Sequence, residues 1–109
     1  MILVSILYPA GPDARFDFDY YAKRHMPRAV ELLGVHPGYQ GVTIEKGLSA
    51  AQPGEALKFV AVCTYQFRSI DDFVAAFMPV APELQGDIAN YTNIEPVIQF
   101  NERLTIGGA

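Results

Sequence analysis

The side chains of this chain that could move a proton or hold a polar ligand include two histidines, one cysteine and six tyrosines. His25 stands out by position. In Phe18-x-x-Tyr21-x-x-x-His25 the apolar residues recur at spacings of three and four, and Ala22, Ala29, Leu32 and Leu33 continue the pattern, which places the imidazole on the inner face of an amphipathic helix. An imidazole in an apolar pocket can give and take a proton near neutral pH without metal or cofactor. The plain alternative is a core histidine held by one hydrogen bond. Tyr21 lies one helical turn earlier, where its hydroxyl could reach the imidazole or a ligand oxygen. Phe16, Phe18, Phe59, Tyr65, Phe73 and Phe77 could line an apolar cavity, or could simply pack, as aromatics at helical or strand spacing do.

Asp87, Asn90, Tyr91, Thr92 and Asn93 form a polar cluster before the last apolar run. Such side chains commonly cap backbone groups where a strand begins, and a gate over a pocket is the other reading. His36 sits in a turn, and Cys63 reads as a small buried hydrophobe. Two histidines and one cysteine without close ligand spacing argue against zinc, and no cofactor is expected. There is no GxxxxGK[ST] or strand-borne GxGxxG to cradle phosphates, and Ser5, Ser49 and Ser69 lack a nucleophile-elbow context. Eight Lys and Arg against twelve Asp and Glu, spread singly, provide no basic stripe, so nucleic acid is not an expected partner.

The elements that must position these residues follow from pattern. Ile2 to Tyr8, ending at Pro9-Ala10-Gly11-Pro12, is a buried strand and then a loop. Asp17 can cap the first helix, Pro27 should force a kink or restart near His25 by pushing Met26 out of the helical region, and Gly34 ends the helix. His36-Pro37-Gly38 suits a turn, Tyr39 to Lys46 alternates as a strand with one wet face, and Gly47 to Ala56 is a loop. Leu57 to Phe67 is the strongest strand. Ser69 and Asp72 resemble a capping box for a helix through Ile70, Phe73, Val74 and Phe77 that Pro79 closes. A short helix runs from Pro82 towards Gly86, and Glu95 to Leu104 makes the last strand.

That order is α+β: a ferredoxin-like βαββαβ arrangement with two helices on one face of an antiparallel sheet, expected as one domain over residues 1–109. In the third strand Leu57, Phe59, Ala61, Cys63, Tyr65 and Phe67 point one way, and Val60 and Val62 the other, so both faces carry apolar groups. With 50% hydrophobic and 18% charged residues in 109, against roughly 25% charged in an average domain, the chain has apolar surface that a small fold cannot hide alone. A second copy against the bare sheet face is the expected remedy. The apolar start has no basic flank and stops at Pro9, short of a membrane span, so the expectation is a cytoplasmic protein with no membrane partner.

With these elements in place, the chain resembles the EthD-like branch of the dimeric α+β barrel superfamily. The resemblance rests on Tyr8-Pro9, Phe18-x-x-Tyr21-x-x-x-His25-Met26-Pro27, Gly38-Tyr39, Phe73 with Phe77, and Asp87-Ile88-x-x-Tyr91-Thr92-Asn93. It implies a homodimer, two subunits forming a dimeric α+β barrel with their sheets face to face, and a ligand cavity in each subunit between sheet and helices. It also implies a supporting role for Tyr39 beside His25, as in related isomerases; the candidate substrate contacts, read from spacing, are Tyr21, Phe18, Tyr65, Phe73 and Phe77. Relatives include small catabolic proteins encoded with ether-degrading oxygenases, lactone isomerases, and fungal dehydratases or decarboxylases of polycyclic aromatics. The expected ligand is therefore a small apolar oxygenated compound such as a lactone, quinone, aromatic or ether metabolite. The leading expectation is a cofactor-independent isomerase or dehydratase with His25 and Tyr39 as the catalytic pair. A non-catalytic ligand-binding protein or oxygenase accessory is the alternative. A haem protein with His25 as axial ligand is a third, which finds no obvious cluster of propionate-binding arginines in the sequence.

Overall fold

Four runs rich in β-branched and aromatic residues pair into one antiparallel sheet in the computed structural model, which describes residues 1–107. They are β1 (Ile2–Pro9), β2 (Tyr39–Lys46), β3 (Phe59–Phe67) and β4 (Val97–Glu102), in spatial order β2-β3-β1-β4. Between them lie a helical segment α1 over 18–33, α2 (Ile70–Phe77), α3 (Ala81–Gly86) and a 3₁₀ turn at Ile88–Asn90. The α+β, ferredoxin-like order is as expected. Two strands are shorter than their apolar runs, because pairing with β1 sets their ends. β1 ends at Pro9, whose partner across a register shift is Phe59, so β3 starts there and not at Leu57. Val97 to Glu102 is likewise the stretch of β4 that finds partners on β1.

Pro27 acts on α1 differently from expectation. Met26 keeps helical angles (φ −66°, ψ −41°), so the helix neither breaks nor restarts. Instead Tyr21–His25 widens into a π-helical turn, in which the Met26 N–H reaches Tyr21 O, five residues back, between an α-helical turn at Phe18–Tyr20 and an α-helix at Met26–Leu33. The extra residue turns Ala22 outward, against its expected place on the inner face, and leaves Tyr21, His25 and Met26 all buried. Asp17 caps the first turn, its carboxylate accepting from the Tyr20 N–H at 3.0 Å, and Ser69 Oγ caps α2 by accepting from the Asp72 N–H at 3.1 Å.

The sheet's two faces differ. Towards the helices, Val4 and Tyr8 of β1 and Ala61, Cys63, Tyr65 and Phe67 of β3 are buried against Ala29, Leu33 and Phe73. Burial pushes the Cys63 thiol up to about 11, so it packs as a neutral small group. The open face is mixed, carrying the expected apolar groups beside polar ones. One row across it reads Glu45, Val62, Leu7 and Val97, but the next reads Thr43, Thr64, Ser5 and Gln99. Polar side chains there hydrogen-bond laterally, Asn101 Nδ2 donating to Ser5 Oγ and Gln99 Nε2 to Asn101 Oδ1, both at 2.8 Å.

The segment before β4 is fastened to the one before α1. Thr92 Oγ1 donates to Arg15 O at 2.6 Å and accepts from the Ile94 N–H at 3.0 Å, while Asn93 bonds Arg15 N and Asp13 O. A Thr92→Val variant keeps the shape and leaves a carbonyl and an N–H without their partner, so urea unfolding should show a loss of about 1–3 kcal/mol.

Candidate functional site

His25 enters the site from the wide turn of α1. Its Nδ1 lies 2.9 Å from Oδ2 of Asp87, just beyond α3. Asp87 Oδ1 in turn accepts from the Tyr20 hydroxyl at 2.6 Å and from Asn90 Nδ2 at 2.8 Å. Burial works against the Asp87 charge, but the bonds from Tyr20, Asn90 and His25 outweigh it and hold the carboxyl below its ordinary range. An ionised Asp87 accepts the Nδ1 proton, which leaves the lone pair of a neutral imidazole on Nε2. Among the described residues no group bonds Nε2, yet no buried side-chain nitrogen or oxygen lacks a partner, so Nε2 opens onto accessible space.

That space is a cavity of about 370 Å³ bounded by the helices and the β1–β4 side of the sheet. His25, Tyr8, Tyr91, Gln85 and Glu95 form its polar lining, and Ile6, Tyr65, Phe73, Phe77, Leu84, Ile88, Pro96 and Ile98 the apolar remainder. Its size suits a one- or two-ring ligand, at the small end of the few hundred Å³ common for such sites. Tyr8 and Tyr91 join their hydroxyls at 2.8 Å, and either can donate. Burial raises both phenols above their usual range, so each keeps its proton at neutral pH. The Tyr91 ring lies 4.6 Å from the imidazole and the Tyr21 ring stacks on it at 5.7 Å, between centroids, and the two tyrosine rings are themselves 4.9 Å apart. The imidazole is thus fixed by two rings and one carboxylate.

The residues singled out in the sequence separate into two groups. His25, Tyr65, Phe73 and Phe77 line the cavity, Tyr65 with its hydroxyl turned to Met26 Sδ at 3.9 Å. Tyr21 stands behind His25 as a stacking partner and is not part of the lining. Phe18 packs on Phe16 at 4.4 Å beneath the Lys46 ammonium, and Tyr39 meets Phe67 edge-on at 5.6 Å; neither lines the cavity. The sequence reads Asp87 and Tyr91 as caps or a gate and Tyr8 as the end of a strand, whereas the structure brings all three to the site. Asp87 and Tyr91 flank the 3₁₀ turn at Ile88–Asn90, and both reach His25 from its two ends. Thr92 and Asn93 do cap backbone, as that cluster's default reading had it.

The sequence model of the EthD domain matches residues 10–95. Among solved structures, an EthD-like protein from Ralstonia eutropha is 42% identical, with a TM-score of 0.86, and the match covers 93% of this chain and 89% of that one. An EthD family protein from Bacillus halodurans shares the fold at 16% identity and TM-score 0.70, over 95% of this chain and 99% of that one. A dimeric protein of ferredoxin-like fold from Bacteroides fragilis does so at 13% and 0.59, over 94% and 95%. No curated protein matches this chain. No helix among the described residues is long and apolar enough to cross a membrane.

Asp87 makes stability pH-dependent in a defined direction. Its folded pKa lies below the ordinary 3.8, so its contribution is complete above that value and is lost as pH falls through the folded one. Urea unfolding at about pH 7, 5 and 3 should find Asp87→Asn less stable than the parent at neutrality and with a shallower loss on acidification.

Proposed function

This chain belongs to the EthD domain family, and from that premise we propose that it is a small cofactor-independent enzyme that moves a proton on an apolar oxygenated compound. The observation that carries this is the His25–Asp87 bond at 2.9 Å, which aims a basic Nε2 at an apolar-walled cavity. Nε2 takes a proton from the carbon next to a carbonyl. The electron pair left behind moves onto the carbonyl oxygen, giving an enolate, and Asp87 offsets the charge of the imidazolium. Return of the proton to a different carbon completes an isomerisation; delivery of it to a β-hydroxyl, which leaves as water while the enolate collapses to the α,β-unsaturated carbonyl, instead completes a dehydration. His25 is the catalytic base. Tyr21 and Asp87 position it, while Phe73, Phe77 and the Tyr65 ring hold the substrate's apolar body. Tyr39 and Phe18, in their packed positions on Phe67 and Phe16, are assigned no step.

The assembly belongs to the same proposal: two copies pair through the open sheet face. Support comes from the Val62, Leu7 and Val97 row on that face and from the dimeric relative of like fold. Pairing there leaves the cavity, on the helix side, within each subunit.

Deuterium uptake from solvent into 2-tetralone, an enolisable bicyclic ketone of fitting size, tests the chemistry by mass spectrometry. The protein should accelerate uptake, and His25→Ala should lower that acceleration by about 100-fold or more with thermal unfolding still cooperative. Uptake unaffected by the substitution would end the assignment. For the assembly, sedimentation at micromolar concentration should show a dimer, and Val62→Lys should shift it towards monomer.

A further inference from the structure

The charges around the cavity bear on which oxygenated compounds it admits. Among its described lining residues there is no lysine or arginine, and the one acidic residue is Glu95, itself exposed to solvent. A second carboxylate, Asp87, lies directly behind His25. Two guanidinium groups of the first helix face elsewhere. Arg24 and Arg28 border a separate outer groove with Tyr20, Glu83 and Asp87, and Arg28 is committed to Glu83 and Glu31 at 3.0 and 2.9 Å. An anionic ligand in the cavity would lose its hydration and find no cation in return. With His25 neutral it would face the field of two carboxylates; with His25 protonated, Asp87 already balances the imidazolium.

The Tyr8–Tyr91 pair meets an uncharged oxygen instead. Two hydroxyls bonded to one another at 2.8 Å use one of their two protons between them, which leaves one to donate. A ketone or quinone oxygen accepts that hydrogen bond without bringing a full charge into the apolar site. Building on the cavity assignment made above, we infer that the site selects uncharged carbonyl compounds and rejects carboxylates, with Glu95 as a specificity-determining residue at its wall.

Equilibrium dialysis of the intact protein at neutral pH with 2-acetylnaphthalene and 2-naphthoate tests this. The two probes share a ring frame and differ by a methyl group in place of a carboxylate oxygen. The ketone should bind at least about tenfold more tightly, and Glu95→Gln should narrow the ratio several-fold by strengthening naphthoate binding. Equal affinities, tighter naphthoate binding, no ketone binding up to its solubility limit, or a ratio unmoved by Glu95→Gln each overturns the inference. Since dialysis reads binding alone, the preference can stand while deuterium uptake fails, or fail while uptake stands.

Discussion

Asp87 accepts hydrogen bonds from Tyr20, His25 and Asn90 at 2.6, 2.9 and 2.8 Å, so one carboxylate joins the first helix to the turn that follows the third. Much else depends on that junction. It closes the helical layer over the β1 side of the sheet, fixes which imidazole nitrogen carries the proton, and keeps a negative charge against the ring. A carboxylate with its side chain about one-quarter exposed, 26%, would not carry such weight by charge alone, because water screens it. Three donors converging on two oxygens supply the geometry that screening would otherwise remove.

The widened turn of α1 lets the junction form. Pro27 has no N–H to donate, and in a regular helix its ring would press on the carbonyl four residues back. Adding a residue to the preceding turn relieves that conflict without breaking the helix, and the same adjustment brings Tyr21, His25 and Met26 inward together. Tyr21 then stacks on the imidazole and Met26 Sδ takes the Tyr65 hydroxyl, so two aromatic side chains beside the cavity are locked by one backbone irregularity.

The fold was legible because period-two and helical patterns are local, and so was His25, which repeats with its own helix. Its carboxylate partner was not. Asp87 is 62 positions from His25 and 67 from Tyr20, and an Asp before a strand looks the same whether it caps backbone or orients an imidazole. Thr92 and Asn93, a few residues on, do the ordinary capping. Tyr8 and Tyr91 are 83 positions apart and meet because β1 is central in the sheet. Tyr39 entered through family resemblance alone; its ring packs on Phe67, where the order of strands takes it away from the cavity on the β1–β4 side. Pro27 announced a disturbance whose form depended on tertiary packing, since a buried His25 and Met26 favour the wide turn over a break.

The apolar excess in the composition divides unevenly over the structure. Much of it fills the core beneath the helices, and some lines the cavity. The open sheet face takes less than expected, because Thr43, Thr64, Ser5 and Gln99 interrupt it. A further share lies along β4 on the helix side, where Ile98 is 54% and Phe100 44% exposed. There Phe100 leans edge-on against Phe73 at 5.8 Å, and Ile98 and Phe73 both border the cavity. The edge of the sheet and the wall of the site are therefore one apolar surface. Whatever covers β4 changes how much water reaches Phe73 and its neighbours, and dry walls strengthen both the His25–Asp87 pairing and the hydrogen bond from the tyrosine pair.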